Sequence, residues 1–359
     1  MANFIRLAAF LSWLTSILTP ITASAITIPT VPVGNPGNAP DLLTGNHYGA
    51  VSYDYRIGTT EVTNAQYAEF LNFKAATGAL TLWTTSMDSD ARGGITRSGV
   101  SGSYSYTTKP NMADKPVNFV FWYSAIRFAN WLHNGQGAGD TETGAYTLLG
   151  GTTVPTNFLT ITRNAGATWF LPSENEWYKA AYYDPRTATE GGPAGDDHYW
   201  LYPTMSDSAP AMASADVTGN ISNPGTNVAN YDRGADWNSQ DGNVTTVGSA
   251  GPLSRSFYGT SDQGGNLWEW NEALLSPSLP SIRGTRGGAF ADPSLALQSS
   301  ARPGSEPGSG FASVGFRVAI VPEPSTLALG CLGLAAAALF LFRRARRPSL
   351  PRVPAGERS

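Results

Sequence analysis

Asp262-Gln263-Gly264-Gly265-Asn266-Leu267-Trp268-Glu269-Trp270 joins a double-glycine turn to two carboxylates and two tryptophans. Adjacent glycines permit a tight turn. The carboxylates at 262 and 269 flank it, so folding can bring them together. Backbone carbonyls exposed by such a turn would complete an oxygen-only shell, which suits a hard cation such as Ca²⁺. Composition alone favours a plainer reading, a glycine turn that leads into a tryptophan-rich core strand.

Outward from this stretch, local patterns alternate with long irregular segments. Residues 26–45 are rich in Pro, Gly and Asn and read as an extended lead-in. Residues 50–57 alternate, with Val51, Tyr53, Tyr55 and Ile57 on one side, as in a half-buried strand. Thr63-Asn64-Ala65-Gln66 is a capping box. The helix it starts carries Tyr67, Phe70, Leu71 and Lys74 on one stripe and is expected to stop near Gly78. Residues 116–121 read as a short buried strand entering a helix from Trp122, with Trp122, Ile126, Ala129 and Leu132 buried and Gly135 just past its end. Ser173-Glu174-Asn175-Glu176 is a second capping box, and Trp177, Ala180 and Ala181 are its helix's core contacts. No fixed-period repeat or clear linker divides the body, which reads as one domain.

The chain has 359 residues with 11% aromatic and only 14% charged positions, and carries 39 Gly and 25 Pro. This mix is too aromatic for disorder and too interrupted for a helical bundle. It leaves a loop-rich α+β or all-β body. The single Cys331 lies in an apolar tail, so disulfides, zinc–thiolate sites and cysteine nucleophiles are excluded from the body. His47, His133 and His198 stand at spacings that match no helical ligand pair. Setting aside Arg6, six C-terminal arginines, Glu323 and Glu357 leaves 16 basic and 25 acidic residues, a net charge of −9. Such a body is not expected to bind nucleic acid, which requires clustered Lys and Arg; it favours cations. Tyr182, Tyr183, Trp200, Tyr202 and residues 227–231 could line a ligand groove or simply pack their loops.

Six separated motifs occur in order: Glu61-Val62-Thr63-Asn64-Ala65-Gln66-Tyr67, Pro116-Val117-Asn118, Leu171-Pro172-Ser173-Glu174-Asn175-Glu176-Trp177, Gly265-Asn266-Leu267-Trp268-Glu269-Trp270, Arg286-Gly287-Gly288 and Gly315-Phe316-Arg317-Val318. Together they resemble the formylglycine-generating enzyme, or sulfatase-modifying factor, family over residues 46–320. The resemblance implies an α+β fold, an irregular, loop-rich variant of the C-type lectin fold. It also implies two structural Ca²⁺ sites. One matches Asp262, the Gly265 and Leu267 carbonyls, and Glu269. The other matches Asn230, the Tyr231 carbonyl, Asp241 and the Asn243 carbonyl.

The catalytic part departs from that family, whose formylglycine generators hold copper with two cysteines soon after the Gly-Gly motif. Here Gly287-Gly288 is followed by Ala289, Phe290, Ala291 and Asp292, with Leu297 near the second cysteine's place. Copper is therefore not expected, and no catalytic residue is assigned. Three function classes follow. The first is a noncatalytic surface protein that binds an extracellular ligand or glycan. The second is an oxidase with a metal site made without cysteine, and the third is a structural envelope component.

Both ends read as addresses. Residues 1–25 pair Arg6 with an apolar run and end in Ala23-Ser24-Ala25, a secretory signal peptide with its cleavage site. Val321-Pro322-Glu323-Pro324-Ser325-Thr326 precedes apolar residues 327–342 and a basic cluster from Arg343 to Arg347. The apolar run reads as a short membrane span, and the arginines would hold residues 348–359 on the cytoplasmic side. Residues 321–347 resemble the PEP-CTERM sorting signal of bacterial envelope proteins. This implies an exosortase-type protease as partner and a transient membrane anchor. Mass spectrometry of the mature protein should find the C-terminal segment removed; an intact chain through Ser359 would contradict this.

Overall fold

The computed structural model describes residues 25–195, 197–275 and 281–321. The signal-peptide reading (apart from Ala25) and the sorting segment beyond Val321 lie outside the described residues. Strands β1 (Thr30–Val33), β2 (Tyr55–Gly58), β3 (Ile95–Ser98), β4 (Ser105–Thr108), β5 (Trp169–Phe170) and β6 (Ala211–Met212) come first. They are followed by β7 (Val228–Ala229), β8 (Trp268–Leu274), β9 (Arg283–Arg286), β10 (Gly304–Ser305), β11 (Val314–Gly315) and β12 (Ala319–Ile320). Four α-helices are interspersed among the described residues: α1 (Asn64–Lys74), α2 (Ser86–Ser89), α3 (Trp122–His133) and α4 (Glu174–Tyr182).

Two four-stranded sheets organise these pieces, in the orders β1-β2-β12-β5 and β10-β9-β8-β11. In the first sheet every pairing is antiparallel, with Ala319 opposite Ile57 on one side and Phe170 on the other. In the second, β8 runs antiparallel to β9 and parallel to β11. The main core carries a knot of rings, with Phe70 and Phe316 each 5.4 Å from Phe128 between centroids. Ring edges meeting ring faces at these distances add directional attraction to simple burial.

Both capping boxes form. The Thr63 hydroxyl accepts from the Gln66 N–H at 3.3 Å, and the Gln66 side chain accepts from the Thr63 N–H at 2.9 Å. In α4 the Ser173 hydroxyl accepts from the Glu176 N–H at 3.2 Å while Glu176 Oε2 accepts from the Ser173 N–H at 2.6 Å. Helix α1 buries Tyr67, Phe70 and Leu71 but ends at Lys74, earlier than expected. The next turn tightens so that the Gly78 N–H reaches the Ala75 carbonyl.

Other expectations need correction. Only residues 55–57 of the alternating run are paired, as part of β2, and Tyr53 is 42% exposed although its hydroxyl donates to Glu176 Oε1. Residues 116–121 are mostly buried without forming a strand: Phe119 has φ +58°, and the Asn118 amide bonds the Arg92 and Ala312 carbonyls. Helix α3 is buried all round except at His133, more than a single face. Its Arg127 is neutralised by Glu142 at 2.6 Å and by the Thr152 and Thr153 carbonyls.

Loss of a cap hydroxyl leaves an N–H of the first turn without a partner. Ser173→Ala should therefore lower stability by about 1 kcal/mol in urea unfolding. An unchanged midpoint would mean that water replaces the cap.

Candidate metal centre

The turn at 262–270 is wedged between two other segments. Gly265 has φ +87°, and a Cβ there would run into the Asn230 carbonyl. Its N–H reaches the Gly287 carbonyl at 2.8 Å, and the Asn266 N–H reaches the Asn230 carbonyl at 2.8 Å. Asp262 and Asn266 share the left-handed conformation, each with φ +61°; Asp and Asn tolerate it better than most residues.

Glu269, on β8, is fully buried. Arg317 clamps it through two bonds of 2.6 Å, Nε to Oε2 and Nη2 to Oε1. Trp177 Nε1, from α4, adds a third donor to Oε2 at 2.7 Å. The same guanidinium donates to the Gly58 and Ser261 carbonyls, each at 2.9 Å. Asp262 is half-buried, and its Oδ2 accepts the Gly248 N–H at 2.5 Å. Burial pushes its carboxyl up to about 6, against the pull of that bond and of Arg317.

Glu61 is the residue that the sequence reading missed. It is 1% exposed, and neither carboxylate oxygen has a hydrogen-bond partner among the described residues. Burial, then the negative charges of Asp262 and Glu269, drive its carboxyl well above the usual range. Its one sequence signal was its place at the head of the motif that runs into the first capping box.

The second predicted set is only partly gathered. Asn230 is buried, and its Nδ2 donates to the Asn243 carbonyl at 2.8 Å and to Thr245 Oγ1 at 3.2 Å. Its Oδ1 is left without a partner. The Tyr231 carbonyl accepts the Gly234 N–H in a turn. The Asp241 side chain is 71% exposed and pairs with Arg233 at 2.8 Å, on the surface. Among the described residues no three Asp, Glu, His or Cys side chains converge as a metal shell would require. A cation here would need carbonyl and amide oxygens beside one or two acids. Asp262 and the open Asn230 Oδ1 fit that need; Glu269, held by three donors, fits it less well.

The corner that follows Gly287-Gly288 is packed with carbon. Ala289 and Leu297 are fully buried, and Leu297 joins Tyr202 and Ala229 in one apolar cluster. Tyr182 and Tyr202, possible groove residues in the sequence, are buried too: the Tyr182 hydroxyl donates to the Leu297 carbonyl at 3.0 Å, and the Tyr202 hydroxyl accepts from Gln298 at 2.8 Å. They pack loops together. A cavity of about 220 Å³ lies elsewhere, lined by Trp122, Tyr146, Ile161, Arg163, Glu272 and Arg283 among others. There Arg163 bridges Glu176 at 2.6 Å and Glu272 at 2.8 Å.

The sulfatase-modifying factor enzyme 1-like domain matches residues 36–321, most of the chain. The chain belongs to this family. Its fold is accordingly the family's loop-rich α+β variant of the C-type lectin fold. The PEP-CTERM protein-sorting motif matches residues 321–347 and implies recognition by exosortase machinery, export and sorting to the cell envelope. Among the described residues no helix is long and apolar enough to cross a membrane. Similar solved structures include CarF, at 20% identity over 83% of this chain and 99% of that one, with a TM-score of 0.47. Variable protein 1 of Treponema denticola is 19% identical over 82% and 95%, with a TM-score of 0.44. PvdO from Pseudomonas aeruginosa is 16% identical over 82% and 92%, with a TM-score of 0.40. No curated protein matches the chain.

Within this family domain Arg317 and Glu269 form a fully buried ion pair. Arg317→Met strands Glu269 in the core and should cost about 3–5 kcal/mol in urea unfolding. Adding Glu269→Gln should recover part of that loss; no recovery would show that the guanidinium acts through its carbonyl contacts alone. Asp262 contributes with the opposite sign to a salt-bridged acid. The folded state holds its proton more tightly, so the contribution is complete below the ordinary value of 3.8 and vanishes as pH rises through about 6. Wild type should thus lose stability relative to Asp262→Asn across that window, measured by melting temperature against pH.

Proposed function

We propose that this family member is an exported, envelope-sorted protein that binds an extracellular ligand without oxidising it. The observation that carries the reading is the packed corner after Gly287-Gly288. Ala289 and Leu297 fill it, and no thiol occurs anywhere in the chain except Cys331 of the tail. Formylglycine chemistry that depends on a cysteine pair and copper has no donors there. An N-terminal signal peptide would deliver the body across the membrane, and the PEP-CTERM segment would hold it transiently until sorting.

A glycan is the ligand class we favour. The 220 Å³ cavity offers Arg163 and Glu272 side chains that are 19% and 18% exposed, with Trp122 fully buried beneath the Arg283 guanidinium. Fixed charged groups at the mouth of a cavity suit the hydroxyls of a sugar. We further propose that Ca²⁺ braces the loops through the two sets read from the sequence, with Asp262 and Asn230 Oδ1 as the most available ligands. Ca²⁺ would supply charge neutralisation and loop rigidity, not chemistry.

Purified protein given copper and a sulfatase-type cysteine peptide should form no aldehyde; aldehyde with stoichiometric copper would overturn the noncatalytic reading. On a glycan array, Leu274→Arg, which places a long side chain at the cavity wall, should abolish binding with melting unchanged. Absence of any glycan binding by wild type would favour a purely structural envelope role. Chelator should lower the melting temperature and Ca²⁺ should restore it, with Asp241→Ala changing that response little.

A further inference from the structure

Ile26, the residue directly after Ala23-Ser24-Ala25, is held at both of its backbone groups by one distant side chain. Its N–H donates to Gln136 Oε1 at 2.7 Å, and Gln136 Nε2 donates to its carbonyl at 3.0 Å. A side-chain amide here does what a neighbouring strand would do, across a separation of 110 residues. Gln136 is itself fixed: it adopts the left-handed conformation with φ +66°, and its N–H reaches the Trp131 carbonyl at 2.8 Å. Gln66 Nε2 takes the next carbonyl, that of Thr27, at 3.0 Å, and Ile26 and Ile28 pack against the main core. The grip thus falls on the residue that the expected cut would leave first in the chain.

An ammonium group would use this place more fully than an amide does. Gln136 Oε1 is an acceptor, and a charged donor makes a hydrogen bond roughly twice as strong as a neutral one. Ala25, Ile26 and Thr27 also line an open depression with Ala65, Gln66 and Glu69. Glu69 is the one charged residue in that lining, and it forms no salt bridge among the described residues. A peptide N–H has a single hydrogen, already given to Gln136. An ammonium has three, so the others can turn to the acid side of the depression.

We propose that Gln136 and Glu69 form a binding site for the α-ammonium group of Ile26, created when the Ala25–Ile26 bond is cut. The proposal rests on the signal-peptide reading and adds a receptor for its product. Hydrolysis breaks the amide C–N bond. Water adds hydroxyl to the Ala25 carbonyl carbon and hydrogen to the Ile26 nitrogen, and the new acid's proton moves to the new amine. The Ala25 carboxylate leaves with the signal segment, so the charge that stays behind is positive and faces Glu69. Cutting therefore fastens the lead-in to β1, the outermost strand of its sheet.

The test uses the exported protein, with its first residue read by N-terminal sequencing and its α-amine labelled by an N-hydroxysuccinimide ester at about pH 7. A chain that begins at Ile26 should label about ten-fold more slowly than the free peptide of residues 26–29. Gln136→Asn keeps an amide and tolerates left-handed backbone but shortens the reach, and should restore labelling close to the peptide's rate. Glu69→Gln should speed labelling by a smaller factor. Wild type that labels as fast as the peptide, or no faster labelling in either variant, overturns the proposal. A mature chain that begins at another residue beyond the apolar run overturns it but leaves the signal peptide; a chain that still begins at Met1 overturns both. If Gln136→Asn does not fold, Glu69→Gln decides, and an unchanged rate there overturns the site.

Discussion

One buried ion pair ties the sequence-distant parts of this fold together. Arg317 reaches Glu269 on β8, the Gly58 carbonyl at the end of β2 and the Ser261 carbonyl before the double-glycine turn. Trp177 brings α4 to the same carboxylate. The pair links both four-stranded sheets and a helix at a point where both charged side chains are fully buried. Replacing such a pair by apolar groups can be neutral, whereas breaking one half is severe. Its value is thus positional: three separate chain segments must register before either charge is satisfied.

The same economy of backbone runs through the rest of the body. With most strands short, buried carbonyls cannot all be paired in ladders, and side-chain amides take their place. Asn64, Asn118, Asn130 and Asn230 each sit in the interior and donate to main-chain oxygens. Buried polar groups must find partners, so a loop-rich fold of this kind needs asparagine where a sheet protein would use strand pairing. Asparagine's short amide also tolerates left-handed backbone, as at Asn266.

These physical differences decide what the sequence made legible. The capping boxes at Thr63 and Ser173 could be read because both partners lie three residues apart and their geometry is local. The start of α3 at Trp122 was equally plain. Helix α3's burial all round was not, because Arg127 finds its charge partner and carbonyls only through the folded 141–153 loop. Arg317 appeared as part of a motif, but its partner lies 48 residues earlier and no spacing rule connects them. Asp241 looked like a ligand by its neighbours; in the fold Arg233 holds it at the surface. Glu61 looked like an ordinary residue ahead of a helix, since sequence carries no mark for an acid deprived of every donor.

The position of β12 carries a further consequence for how the molecule is made. This strand lies inside its sheet, between β2 and β5, and ends at Ile320, immediately before the sorting motif. In an export that proceeds from the N-terminus it would be the last part of the body to cross. On that route the sheet would wait, with β2 and β5 unjoined, until nearly the whole body had crossed. Once it is seated, the sorting segment starts one residue from a central strand, with no intervening spacer. A pull on that segment would load the middle of the sheet directly, so the sorting signal and the strand that completes the sheet are joined without slack.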